Sequence, residues 1–251
     1  MRNNDEFNRA AYGHYADRYA AFRPTYPNAL FEAIYEHVDR FDFALDCATG
    51  TGQAAQVLSR RFEKVLAFDN SARQIELAQE GFWRMVSSAE VVPVRGCSVD
   101  LITVAQAVHW FDLEKFWPET HRVAHKEAVL AIWGYGFFKV DPAVDEVVMR
   151  ELRSRVDRYW GSGNLILLDE YRTITFPFDE LPAPKLDMVE HWTLDRLLAY
   201  LSTWSALNRY DHEHGPGLLE HVRSELRKAW PGDEPREVRM PITMRIGRVP
   251  V

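Results

Sequence analysis

Cysteine is scarce in this chain of 251 residues. Only Cys47 and Cys97 occur, in no spacing that suits a disulfide framework or a metal knuckle, so a reduced, cytoplasmic setting without a metal site is the simplest expectation. Long apolar runs are also missing. None approaches the ~20 residues that span a bilayer, and the start Met1-Arg2-Asn3-Asn4-Asp5-Glu6 lacks the apolar core of a signal peptide, so no membrane role is expected. Excess positive charge is lacking too, since 30 Lys and Arg against 37 Asp and Glu give a formal net charge of −7. Such a surface repels a phosphate backbone and argues against DNA or RNA as a partner, while leaving room for a local basic pocket. Internal repeats, a G-x-S-x-G nucleophile elbow and a P-loop are all absent. The histidines His121, His125, His191, His212 and His214 assemble into no ligand pattern, and His212-Glu213-His214 reads as a solvated polar turn.

What is present is an ordinary globular balance, 47% apolar and 27% charged, with a surplus of rings: eight Trp, ten Tyr and fourteen Phe. These suit an aromatic-lined pocket or a well-filled core equally. Tyr12, Tyr15, Tyr19 and Phe22 fall on one face of a helix that Pro24 and Pro27 end, and 28–40 reads as a second helix. The pattern then alternates. Strands are expected at 41–46, 65–69, near 85–86, at 101–105 and at 128–133, with helices at 53–62, 71–79 (capped by Ser71) and 113–124. That rhythm predicts an α/β fold with a mainly parallel sheet covered on both faces. After Gly136 the rhythm changes. A helix is expected over 141–159, a flexible turn at Gly161-Ser162-Gly163, a proline-broken extended stretch over 176–184, helices at 194–201 and 218–230, and strand character over 238–249.

The chemistry concentrates in Asp46-Cys47-Ala48-Thr49-Gly50-Thr51-Gly52. A strand ending in an acid and running into a glycine turn places that turn at the carboxyl edge of the sheet, where ligands bind in open α/β folds. The next helix presents its first N–H groups there. Gly50-Thr51-Gly52-Gln53-Ala54-Ala55 also satisfies the dinucleotide pattern G-x-G-x-x-G/A, and Asp69 at the end of the second strand suits ribose hydroxyls in either case. The loop and Asp69 alone leave both cofactors open.

Four blocks in order decide the matter: Ala16 to Pro27, the glycine loop, Ala89-Glu90-Val91-Val92-Pro93, and Ser98 to Phe111 with Gln106-Ala107-Val108-His109-Trp110 near its end. Together they resemble the class I S-adenosylmethionine-dependent methyltransferases (type 11-like), and within them the small-molecule branch that includes trans-aconitate methyltransferase. The resemblance implies a Rossmann-like seven-stranded sheet in a single domain over 1–251. Residues 1–40 would form an N-terminal helical lid, 41–136 the cofactor-binding α/β core, and 137–251 the last strands plus a helical insertion on the substrate side.

It also implies a division of labour. Asp46, Ala48, Thr49, Gly50 and Gly52 would cradle the methionine part of S-adenosyl-L-methionine, with Asp46 near its ammonium. Asp69 would accept from the ribose hydroxyls, Asn70 would lie against the adenine, and Ala89 and Glu90 would flank the adenine edge. Gln106 would sit below the methionine portion. Tyr19 and Arg23 would close the cofactor from the N-terminal side, Arg23 on its carboxylate. Two positions depart from the family pattern: Ala48 stands where glycine is usual, and Ser88 where many members carry aspartate.

His109 follows the fourth strand, and two readings stay open: a general base or a histidine that positions the loop. Trp110, Trp133, Tyr135 and Trp204 are candidate acceptor-pocket residues, each of which also suits a core. The expected reaction is transfer of a methyl group to a small-molecule acceptor, with a carboxylate among the candidates, leaving S-adenosyl-L-homocysteine. The competing readings are an NAD-dependent oxidoreductase, and a catalytically inactive cofactor-binding homologue hinted at by Ala48 and Ser88.

Overall fold

The computed structural model describes residues 24–250. The expected helix over Tyr12 to Phe22, and with it Tyr19 and Arg23, lies outside the described residues. The described residues divide into two compact units, one comprising Thr25–Gly136, Ile166–Leu186 and 242–250, the other Phe137–Leu165 and Asp187–Pro241.

The first unit holds the glycine turn. Pro27 precedes helix α1 (Asn28–Tyr35), which buries Leu30, Phe31 and Ile34. Strand β1 (Phe43–Cys47) leads through the turn to α2 (Gln53–Leu58). Then follow β2 (Lys64–Asp69), α3 (Ala72–Leu77), β3 (Trp83–Val86) and β4 (Val99–Ala105). Helix α4 (Leu113–Val123) and β5 (Ala124–Tyr135) complete the run. β1, β2 and β4 are buried almost end to end, as strands covered on both faces must be, so they read in sequence as unbroken apolar runs. β1 pairs in parallel with β2 and β4, setting Asp46 opposite Ala67 on one side and Thr103 on the other.

Strand order is β3-β2-β1-β4-β5-β8-β6, with β7 paired to β8 off this path. Here β6 is Asp179–Leu181, β7 is Leu186–Trp192 and β8 is Arg236–Arg248. β8 runs antiparallel to β5, from Val129 opposite Arg248 to Tyr135 opposite Ile242. The chain moves outward from β1 through β2 to β3, then crosses back to β4 on the other side of β1. That reversal leaves a crevice at the carboxyl ends of β1 and β4, the usual place for a ligand in such sheets.

The second unit differs from the sequence expectation in three places. The stretch 141–159 is not one α-helix. α5 (Pro142–Val147), capped by the Asp141 carboxylate accepting from Ala143 and Val144 N–H, passes into a π-helical stretch Val148–Arg153. A helical turn Ser154–Val156 and a 3₁₀ turn Asp157–Tyr159 follow. Gly161-Ser162-Gly163 is no flexible turn, because α6 (Ser162–Leu168) starts inside it. His212 and His214 are exposed as expected, but they lie in the last turn of α8 (Ser205–His214) rather than in a loop, and His214 Nε2 lies 2.7 Å from the Tyr159 hydroxyl. α7 (Leu194–Leu201) and α9 (Leu218–Ala229) fall where the periodicity places them.

Candidate cofactor site

The turn after β1 is built around one buried carboxylate. Asp46 Oδ2 accepts from the Thr49 hydroxyl at 2.5 Å and from Ala55 N–H at 3.2 Å. Its Oδ1 accepts from the Thr103 hydroxyl at 2.7 Å. Burial pushes the Asp46 carboxyl up to about 6, against the pull of those three donors. One side chain thus ties β1, the turn, the first residues of α2 and β4 together. Both oxygens are engaged by protein donors and the residue is 1% exposed, so Asp46 acts from inside the turn.

The turn itself remains half-exposed from Ala48 to Thr51. Thr49 N–H donates to Phe68 carbonyl at 2.9 Å and Gly52 N–H to Thr49 carbonyl at 3.0 Å. Ala48 has φ 54°, the left-handed region that costs a residue with a Cβ about 1–2 kcal/mol. That explains why glycine is usual there: Ala48 brings backbone strain as well as bulk. Gly50 also has positive φ, and a Cβ on it would meet only Gln74 Oε1, at 3.9 Å.

Asp69 closes β2 on the facing side. Its Oδ2 accepts from Gly50 N–H at 3.0 Å and its Oδ1 from Ser71 N–H at 2.9 Å. Burial raises its carboxyl, while the N–H groups of Ser71, Gly50 and Asn70 oppose the rise. Asn70 is exposed beside it. Ala89 is buried. Glu90 is stapled in place: the Ser88 hydroxyl donates to its carboxylate and Asp112 N–H donates at 3.0 Å. Burial works to raise the Glu90 carboxyl, but the donors from Ser88 and Asp112 outweigh it and hold it below the ordinary range. Ser88, the departure from the family pattern, thus orients Glu90.

Gln106 takes φ 56° and turns its amide onto Tyr135. Its Oε1 accepts from Tyr135 N–H at 2.9 Å and its Nε2 donates to Tyr135 carbonyl at 3.3 Å. The carboxyl ends of β4 and β5 are thereby locked together. Gly134 between them has no room for a side chain, because a Cβ would lie 2.4 Å from Gln106 Oε1 and 2.6 Å from the Tyr171 hydroxyl.

His109 is buried, its Nδ1 3.2 Å from the Tyr171 hydroxyl and its ring stacked on that tyrosine. Burial pushes its imidazole down to about 3, so it is neutral throughout the physiological range. Trp110 packs on the His109 ring at 5.0 Å and is half-exposed. Trp133 is fully buried, edge-on to Tyr26 at 5.5 Å and Phe31 at 5.9 Å. Tyr135 is buried too, 6.5 Å from Tyr26. Trp204 belongs to the other unit, buried among Phe137, Trp160 and Tyr200.

The structure therefore brings Asp46, Ala48, Thr49, Gly50, Gly52 and Asp69 together in one hydrogen-bonded turn. Separately it ties Glu90 to the segment after β4, and Gln106 to the end of β5. Sequence reasoning missed Thr103, Gln74, Phe82 and Tyr171. Thr103 had a visible signal as the lone hydroxyl inside an apolar strand, whereas Tyr171 joins His109 across 62 positions with none. Among the described residues, no cluster of His, Cys, Asp and Glu suits a metal, and no helix is long and apolar enough to cross a membrane.

Comparison with known proteins bears directly on this turn. A family model for the methyltransferase domain matches residues 45–132, from β1 into β5. A Dictyostelium discoideum protein named as a methyltransferase is 32% identical over 225 residues, 87% of this chain and 86% of its own. A solved protein from Anaeromyxobacter dehalogenans named as a type II methyltransferase is 41% identical with a TM-score of 0.86, over 91% of this chain and 99% of that one. One from Bacillus halodurans C-125, at 15% identity and a TM-score of 0.50, over 90% of this chain and 100% of that one, shares the fold alone. The chain belongs to the class I S-adenosylmethionine-dependent methyltransferases.

Proposed function

We propose that the chain methylates a small-molecule acceptor, with the donor held by Ala48, Thr49 and Gly50 of the turn that Gly52 closes, by Asp69 and Asn70, and by Ala89 and Glu90. In this reading Gln106 sits below the methionine portion of the donor, and Tyr19 and Arg23, outside the described residues, would contribute to holding it. The observation that carries it is Asp69, buried at the end of β2 beside the crevice, with one oxygen on Gly50 N–H and the other on Ser71 N–H. A carboxylate offers about four acceptor positions, so Asp69 keeps capacity for ribose hydroxyls, and the direction above Gly50 is open as far as Gln74. A nucleoside carrying a methionine chain fits both features. A dinucleotide fits less well, because its diphosphate needs the second glycine of the pattern and the Phe82 ring covers Gly52.

Bound there, the donor supplies a methyl group already activated on a sulfonium. The protein's part is alignment and exclusion of water: Asp46 fixes the turn, Gln106 fixes the floor, and His109 with Tyr171 fixes the segment after β4. We assign His109 to positioning, since a buried imidazole whose pKa lies near 3 is a poor proton acceptor at neutral pH. That favours an acceptor needing no deprotonation, and a carboxylate is the simplest. The whole chain would act as a single methyltransferase domain in a cytoplasmic setting, in keeping with two unpaired cysteines.

The test is methyl transfer to small carboxylic acids, phenols and amines, followed by a pH–rate profile on the best acceptor. For His109→Gln, the profile between pH 5.5 and 8 should keep its shape and turnover should fall by less than about fivefold. A loss in the 10²–10⁴ range expected of a general base, with an inflection that vanishes in the variant, would overturn the positioning role.

A further inference from the structure

The two glycines of the turn face different surroundings. Above Gly50 the space is open to the Gln74 amide, but above Gly52 it is filled. A Cβ on Gly52 would lie 2.6 Å from Phe82 Cζ, and the flanking ring carbons at 3.4 and 3.5 Å show that the tip of the ring points at the backbone. Phe82 comes from the segment between α3 and β3, which is pinned across the turn: Gln79 N–H donates to Thr51 carbonyl at 3.2 Å. The Arg84 guanidinium donates to Ala78 carbonyl and closes the base of the segment. Gly81, with φ 103° and nothing near its Cβ position, provides the bend that swings Phe82 inward. Gly52 is buried as a result, while Ala48 to Thr51 stay half-exposed and the Phe82 ring is itself only half-buried.

We propose that Phe82 is a wall residue of the methyl-donor site. Its ring closes the Gly52 end of the turn, so the donor lies along Thr49, Gly50 and Asp69 with an apolar surface on its flank and water kept out. The half-exposed ring has apolar area still to bury, and a bound ligand on the open part of the turn would cover it. This inference rests on the donor placement proposed above.

Calorimetric titration with S-adenosylhomocysteine tests it on the intact chain, with thermal midpoints measured without ligand. The wild type should bind, Phe82→Ala should weaken binding tenfold or more, and Phe82→Leu, which keeps an apolar wall, should stay within about threefold of wild type. A purely structural ring would lower the unliganded midpoint of both variants and leave the affinity of the folded protein unchanged. If wild type binds and Phe82→Ala binds within twofold of it, the wall role is wrong and the donor placement stands. Should Phe82→Ala not fold, Phe82→Leu and Phe82→Ser decide: equal affinities overturn the role, and a loss confined to Ser supports it. Wild type that fails to bind overturns the donor placement, and the wall role with it.

Discussion

Asp46→Ala is expected to lower the unfolding free energy by about 3 kcal/mol at pH 5, the cost of stranding a buried donor and leaving a small void. The donors are not equally hurt. The Thr103 hydroxyl already lies 3.1 Å from Leu45 carbonyl and can turn to it, and Thr49 is half-exposed and can reach water. Ala55 N–H, which loses Asp46 Oδ2, has neither recourse. The loss should shrink as pH rises. Burial raises the folded-state pKa to about 6 from the ordinary 3.8, so the Asp46 contribution is fully present below 3.8 and is lost as pH rises through 6. Between pH 5 and pH 8 the difference between the two proteins should therefore fall, by on the order of 1 kcal/mol. His109 works in the opposite sense. Its depressed pKa makes a contribution that is full above about 6.5 and lost as pH falls toward 3, but it is common to both proteins and cancels. Urea unfolding at the two pH values checks this, and a loss at pH 8 equal to or larger than that at pH 5 would contradict the buried, costly carboxylate.

The second large effect concerns binding. Asp69→Asn is expected to raise the dissociation constant for S-adenosylhomocysteine by roughly 100-fold, corresponding to the loss of one or two charge-assisted hydrogen bonds at about 1.5–3 kcal/mol each. Asparagine keeps the shape but exchanges one acceptor oxygen for a donor. That nitrogen must replace either the oxygen that accepts from Gly50 N–H or the one that accepts from Ser71 N–H. Either way a donor faces a donor, the turn is pushed open at that end, and the ligand has one acceptor fewer. Calorimetry measures the loss, and an affinity within threefold of wild type would remove Asp69 from the donor site.

Much of this site was legible in the sequence because its scaffold is a parallel sheet. Strands buried on both faces leave unbroken apolar runs, so 65–69 and 101–105 stand out, and an acid followed by glycines marks the edge where they end. The side-chain wiring was less legible. The resemblance puts Asp46 near the donor's ammonium, but nothing in the linear pattern shows that its oxygens also take Thr49, Ala55 and Thr103, partners brought in by fold and register. Gly161 and Gly163 suggested a turn on propensity alone, but α6 forms there because burial of Gly163, Asn164 and Leu167 overrides the weak local preference. Nothing in the periodicity of 141–159 reports the change from α to π winding at Val148, because apolar spacing constrains the buried face and not the hydrogen-bond register. Phe82 escaped notice for a related reason: its role depends on a bend at Gly81 and a crossing over Gly52 that no linear pattern encodes.

The most direct test of the account is a calorimetric titration of the wild-type chain with S-adenosylhomocysteine and, in parallel, with NAD. The account predicts saturable binding of one S-adenosylhomocysteine per chain and no measurable heat with NAD. Preference for NAD would contradict it.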